Sequence, residues 1–330
     1  MTATEPHQPK FDAQGRRLPD FFIAGHSKCG TTALYEMLRT HPQIYMPDVK
    51  EPRFLATDVY KRPKPGSGPL PGDLDEYLAL FAPARADQVT GEASPLYLLS
   101  HTAAREISEL NADARIIVIL REPASFLRSL HMQFVESHLE TRNDLLRAVE
   151  LDDERRQGRE VPTMVEFVPQ VLVYSDHVRY AEQLARYREH FADDRLLVMI
   201  YDDFRTDNRR FVRRVLDFLD VDDTTQPEPL EANPTIRVRS VPLHQMVHSV
   251  SVGRGGASRA VKGAVKAVTP RSLRRRALMA TQHKLISAKP QAADDEVMLE
   301  LRRRFAGEVE GLSDYLGRDL VHEWGYDRLG

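Results

Sequence analysis

Apolar residues in this chain come in short, nearly unbroken runs separated by stretches with helical spacing. FFIAG (21–25), ARIIVILREP (114–123) and RLLVMIYDDF (195–204) are the clearest runs, and VTGEA (89–93) is a weaker one. Runs of this length without polar alternation are the pattern of parallel strands covered on both faces. Between them, TTALYEMLRTH places Ala33, Leu34, Met37 and Leu38 at helical spacing, and HVRYAEQLARYREHF (177–191) is amphipathic. NRRFVRRVLDFLDV (208–221) gathers Phe211, Val215, Leu216 and Leu219 on one face. Residues 124–140 are expected to be helical, and 141–170 to be a charged, irregular insertion with local helix. The proline- and glycine-rich KRPKPGSGPLPGD (61–73) reads as a loop. Strand alternating with helix predicts an α/β fold, a central parallel sheet flanked by helices.

The two ends depart from this alternation. Residues 1–18 read as a flexible N-terminal tail and 19–330 as a single domain. From Arg239 to Ala293 there is no Asp or Glu, while Arg254, Lys262, Lys266, Arg274, Arg275 and Arg276 crowd the later part. Two readings stand for this basic, mostly helical segment: a solvated surface, or a flap that closes over an anion. At Asp294 an acidic, helical pattern resumes and ends in GRDLVHEWGYDRLG, whose Trp324 is expected on the core.

Composition narrows the function classes. With 42% hydrophobic and 29% charged residues over 330 positions, the chain has material for a substantial core. A net charge of −3 gives no general affinity for nucleic acid or acidic membrane. The single cysteine, Cys29, allows no internal disulfide and suits a reducing compartment. MTATEPHQPKFDAQGRR lacks the apolar centre of a secretory signal, and the longest apolar runs are too short to span a bilayer. A cytoplasmic protein is the expectation.

The candidate chemistry begins at GHSKCGTT (25–32), a glycine-framed loop between the first strand and the first helix. Such a loop aims unpaired backbone N–H groups at one spot, at the positive end of a helix dipole. Gly25 is expected to let the chain turn and Gly30 to let an anion approach, with Ser27, Thr31 and Thr32 adding hydroxyls. In nucleotide hydrolases the lysine follows the second glycine, a place held here by Thr31; Lys28 lies inside the loop instead. No aspartate closes the later strands, since IIVIL ends in Arg121 and LLVMI in Tyr201. Magnesium-dependent phosphoryl transfer is therefore disfavoured.

GHSKCGTTALYEMLRTHP resembles the 5′-phosphosulfate loop of sulfotransferases that use 3′-phosphoadenosine-5′-phosphosulfate (PAPS). LREPASFLRSLHMQF (120–134) is similar to that family's 3′-phosphate site, which carries over onto Arg121 and Ser129. VKEPRFL (49–55) resembles the KEPHFF-like segment of the Golgi carbohydrate sulfotransferase branch and its bacterial relatives, where the glutamate is the general base. That implies Glu51 as base, with Glu92 second and His131 third. GEASPLYL (91–98) matches a further family stretch, with Ala93 where some heparan-sulfate enzymes carry a substrate-binding lysine.

The resemblance implies a P-loop-like sheet, with PAPS as co-substrate and adenosine 3′,5′-bisphosphate as product. It implies no metal, and Lys28 beside the bond that breaks. The phosphosulfate cradle would comprise Ser27, Lys28, Cys29, Gly30, Thr31 and Thr32, with Arg239 as a late cofactor contact. The acceptor would be a small molecule, a carbohydrate or a glycolipid. A P-loop kinase and a non-catalytic nucleotide-binding protein of the same fold are the alternatives. Cys29, at a helix N-terminus, is expected to have a lowered pKa and to be open to alkylation, though it serves the loop chiefly through its backbone.

Overall fold

The apolar runs are strands buried on both faces, so hydrophobic burial and ladder hydrogen bonds act on the same residues. The computed structural model describes residues 8–162, 168–222 and 295–329, with the backbone also at 237–238 and 287–288. The strands are β1 Phe21–Gly25, β2 Ile44–Tyr45, β3 Val89–Ala93, β4 Arg115–Leu120 and β5 Leu196–Ile200. All pair in parallel, in the order β2-β3-β1-β4-β5. In β1 every residue is buried, and β4 is buried from Ile116 to Leu120. The chain leaves β1 toward β2 at one edge and leaves β4 toward β5 at the other. Neighbouring strands whose connections diverge open a crevice at their C-terminal ends, which is where ligands bind in such sheets.

Helices α1 (Thr31–Arg39), α2 (Leu74–Ala79), α3 (Ala103–Leu110) and α4 (Pro123–Glu136) follow the first four strands. The insertion contains α5 (Leu145–Glu150) and α6 (Asp152–Arg156), and α7 (Tyr180–Arg188) leads back to the sheet. Its charges turn inward. Arg155 and Glu140, each at most 1% exposed, form an ion pair at 2.6 Å. Arg155 also donates to the carbonyls of Ala148 and Leu172. The backbone amides of Thr141 and Arg142 donate to the second Glu140 oxygen, so of the pair's polar atoms only Arg155 Nε is left without a partner among the described residues.

After β5 the chain enters α8 (Tyr201–Thr206) directly and continues into α9 (Asn208–Phe218). The C-terminal helices α10 (Asp295–Arg304), α11 (Ala306–Leu316) and α12 (Leu320–Glu323) dock behind β4 and β5 through polar clamps. Tyr326 donates to Glu122 at 2.7 Å, and the Trp324 indole donates to Asp202 at 3.0 Å. Arg318 grips Asp203 through two hydrogen bonds.

The expected tail is shorter than 18 residues. Phe11 pairs with Arg17 in an antiparallel bridge, and buried Arg17 donates to the Gln88 carbonyl at 2.6 Å. The basic stretch, apart from Ser287–Ala288 paired with Arg237–Val238, lies outside the described residues, as does Arg239. Among the described residues no helix is long and apolar enough to cross a membrane.

Candidate active site

The loop after β1 enters the crevice between β1 and β4, and the two glycines serve it differently from expectation. Gly25 is not at positive φ; a Cβ there would lie 2.6 Å from that of Leu98, so close packing demands the glycine. Gly30 takes the left-handed φ of 88° that lets the loop turn into α1. Lys28, at φ 62°, shares that region without being glycine. Residues held there cost on the order of 1 kcal/mol or more and persist where their surroundings dictate them. Part of that surrounding is His26, fully buried, whose Nε2 bonds to Gln183 at 2.8 Å. Burial, with His177 nearby, depresses the His26 pKa to about 3, so the ring that supports the loop is neutral.

The N-terminus of α1 is built for an anion. No side chain caps it and its first turn holds no acid. In contrast, α2, α4, α5, α9 and α12 are capped by Asp73, Glu122, Asp144, Asp207 and Asp319, and α3, α6, α7, α8 and α11, uncapped as well, carry an acid in the first turn. Two cations stand beside the uncapped end. Arg121, directly after β4, donates from Nη1 to the Lys28 carbonyl at 3.2 Å and lies over the Tyr201 ring. The Lys28 ammonium makes no ion pair with any described residue. Burial lowers its pKa, opposed by Glu136 and assisted by Arg121. On α4, Ser129 is 4% exposed and its Oγ has no hydrogen-bond partner among the described residues. A buried hydroxyl without a partner is a cost in an empty site and an asset to a ligand oxygen. Uncapped amides, two cations and a buried hydroxyl suit anionic oxygens.

Cys29 corrects one expectation. It is fully buried, and burial pushes its thiol up to about 12 despite the helix N-terminus and Arg121. It is not a reactive thiol, because desolvation outweighs the dipole. Its N–H goes to the His26 carbonyl at 3.3 Å. Ser27 is half-buried, Thr31 buried and Thr32 exposed at the loop rim.

Glu51 sits in a loop of its own, at φ 57°, with Arg53 at φ 61°. Its carboxylate is about a quarter exposed and bonds Lys50 Nζ at 2.7 Å and Arg53 at 3.1 Å. Burial raises its pKa, but the two cations more than offset this, and the net shift is downward. Lys50 lies 5.9 Å from the Tyr35 ring centroid, which connects this loop to α1. Glu92, at the end of β3, is fully enclosed and receives hydroxyl hydrogen bonds from Tyr77, Ser94 and Tyr97. Burial raises it to about 7 against those donors. His131 is buried, bonded to the Arg142 carbonyl and packed near Tyr174. A cavity of about 410 Å³, lined in part by Asp58, His101, Arg179 and Arg186, shares Gln183 with the loop support.

Three contributors escaped sequence reasoning. Tyr201 and Phe204 pack against Gly30, and Glu136 faces Lys28 electrostatically. Only Tyr201 had a signal, its place directly after β5, equivalent to that of Arg121 after β4.

Comparison with known proteins agrees with this geometry. Residues 18–235 match the sulfotransferase domain. Mouse heparan sulfate glucosamine 3-O-sulfotransferase 3A1 is 27% identical over 208 residues, 63% of this chain and 47% of the relative. Human carbohydrate sulfotransferase 15 is 28% identical over 159 residues, 37% of this chain and 28% of the relative. The matched part thus spans about half or less of these relatives. A solved sulfotransferase from Alicyclobacillus acidocaldarius superposes with a TM-score of 0.62 at 25% identity, covering 92% of this chain and 97% of that one. The fold, the phosphate crevice and the matched residues agree: the chain belongs to the sulfotransferase domain family.

Proposed function

We propose that this chain is an enzyme that moves the sulfuryl group of PAPS to a hydroxyl of a carbohydrate or other small acceptor, releasing adenosine 3′,5′-bisphosphate. The observation that carries the reading is the Arg121 bond to the Lys28 carbonyl, which joins two anion-binding motifs 93 residues apart at one crevice. The loop amides with Ser27, Thr31 and Thr32 would hold the 5′-phosphate, and Arg121 with Ser129 the 3′-phosphate. Bound there, PAPS supplies an electrophilic sulfur and a phosphate leaving group. Lys28 neutralises charge on the departing oxygen, and Glu51 takes the proton of the attacking hydroxyl.

The names of the curated relatives favour a sugar acceptor. Ala93 offers no cation to a heparan-like acceptor. We place the reaction in the cytoplasm, where the lone thiol stays reduced. A kinase would need a carboxylate available behind β4 or β5. Glu122, Asp202 and Asp203 are instead committed to Tyr326, Trp324 and Arg318.

Thermal unfolding is expected to shift upward with adenosine 3′,5′-bisphosphate and much less with ATP plus magnesium; a preference for ATP would sink the reading. Ser129→Ala should weaken bisphosphate binding roughly tenfold to a hundredfold, about 1.5–3 kcal/mol for one hydrogen bond to a charged group. Calorimetry on both proteins, with adenosine 5′-monophosphate as comparison, checks this. Equal losses for the two nucleotides would remove Ser129 from the 3′-phosphate site. Incubation with PAPS and a panel of sugars, followed by mass spectrometry, tests transfer itself.

A further inference from the structure

Glu92 has no part in the mechanism above, yet its surroundings are organised around the loop that carries Glu51. Three hydroxyls donate to it: Tyr77 and Tyr97 to Oε1, each at 2.8 Å, and Ser94 to Oε2 at 2.7 Å. The same three side chains each grip one of three consecutive loop residues. Ser94 Oγ accepts the Arg53 N–H at 3.1 Å. The Tyr77 ring stacks on Phe54, with centroids 4.7 Å apart and planes within 12°. Tyr97 Oη accepts the Leu55 N–H at 3.1 Å.

A hydroxyl has one proton to give. Because Ser94 and Tyr97 give theirs to Glu92, their lone pairs are left facing the Arg53 and Leu55 amides. The carboxylate thus sets the direction of both relays. This matters because Glu51 and Arg53 occupy left-handed backbone conformations that only a well-determined environment maintains.

We infer that Glu92 is a positioning residue. Through Ser94, Tyr77 and Tyr97 it fixes the Arg53–Leu55 backbone and so the turn that presents the Glu51 carboxylate. The inference rests on the reading of Glu51 as proton acceptor. A glutamine at 92 would offer a single carbonyl oxygen in place of two carboxylate oxygens, so one hydroxyl would turn away and release its amide.

The experiment combines amide hydrogen exchange with a double-mutant cycle, on the full chain at pH 8. Glu92→Gln is expected to speed exchange at the Arg53 or Leu55 amide tenfold or more. It should lower kcat about tenfold, with adenosine 3′,5′-bisphosphate affinity within twofold of the parent. In a Glu51→Gln background the same change should lower kcat less than twofold, because there is no base left to position. Fully additive losses, or a parallel loss of bisphosphate binding, would reduce Glu92 to a general packing role and overturn the inference. So would unchanged exchange. Ser94→Ala and Tyr97→Phe each cut one relay while keeping the carboxylate, and they serve if Glu92→Gln does not fold. Each should release its own amide and lower kcat, and parental exchange and kcat in both would likewise overturn the inference. If the parent chain transfers no sulfuryl group to any acceptor, the proposed function fails, while exchange still decides whether Glu92 holds the loop.

Discussion

Lys28→Ala is expected to transfer sulfuryl groups at least a hundredfold more slowly than the parent while still binding adenosine 3′,5′-bisphosphate. The reasoning starts from where charge appears. As the sulfur–oxygen bond to the 5′-phosphate breaks, negative charge grows on the oxygen left behind. A fixed cation there stabilises the transition state more than the ground state, and only that difference raises kcat. Removing one such stabiliser from a water-poor site costs about 3 kcal/mol or more, a factor of a hundred or greater. Lys28 has the properties the role needs. Its ammonium is half-buried, it is not spent on an ion pair with a described residue, and burial lowers its pKa while Glu136 opposes the shift. The backbone at Lys28 already sits at φ 62°, and alanine retains the Cβ responsible for that strain, so the substitution leaves the loop geometry nearly unchanged. Lys28→Met keeps the apolar stem and isolates the charge. Single-turnover rates at saturating PAPS decide the matter: a variant that binds the bisphosphate and transfers at the parental rate would strip Lys28 of this role.

The sheet was readable because its strands need no partner information to be recognised. Phe21–Gly25 and Ile116–Leu120 are buried on both faces, so the run of apolar letters is itself the burial pattern. The edge strand β2 is two residues long and leaves no such run. In α3 only Ala103, Ala104 and Ile107 are buried, too few to trace an apolar stripe. The phosphate loop was readable for another reason: two glycines frame it between a strand and a helix, Gly30 for its backbone and Gly25 for its packing, and the position of Lys28 separates two kinds of anion. Depth was not readable. Cys29 has the local setting of an activated thiol, and only the fold reveals the burial that suppresses it. Glu122 adjoins Arg121 in sequence, yet its partner Tyr326 lies 204 residues away and nothing local announces the bond. For Glu51, the family resemblance implied a base, while Lys50 and Arg53 lie one and two residues away in sequence as ready ion-pair partners. Both ion pairs are present. They do not exclude proton transfer, because they hold the carboxylate ionised, as an acceptor must be.

That balance makes Glu51→Gln the second large effect. Losing a positioned general base lowers rates by about 10²–10⁴, and kcat should fall within that range while bisphosphate affinity stays near the parent's. Stability should change little, because partly exposed ion pairs contribute at most about 1 kcal/mol. The pH profile separates Glu51 from its neighbour. The folded pKa of Glu51 lies below the usual carboxylate value of 4.5, since Lys50 and Arg53 outweigh burial. A base of this kind is ionised throughout the neutral range and becomes protonated only as pH falls through its lowered value. The limb that belongs to Glu51 should therefore lie below 4.5, beneath a partial fall near 7 as Glu92 is protonated, and Glu51→Gln should abolish it. The same group contributes stability that is present above 4.5 and lost on further acidification. Glu92 behaves oppositely. Raised to about 7, its neutral form is the better accommodated, so its contribution to stability is present below 4.5 and lost as pH rises through 7. An acid limb near 7 that survives in Glu51→Gln would transfer the proton-accepting role to Glu92. A limb below 4.5 that disappears with the Glu51 carboxylate would assign the role to Glu51.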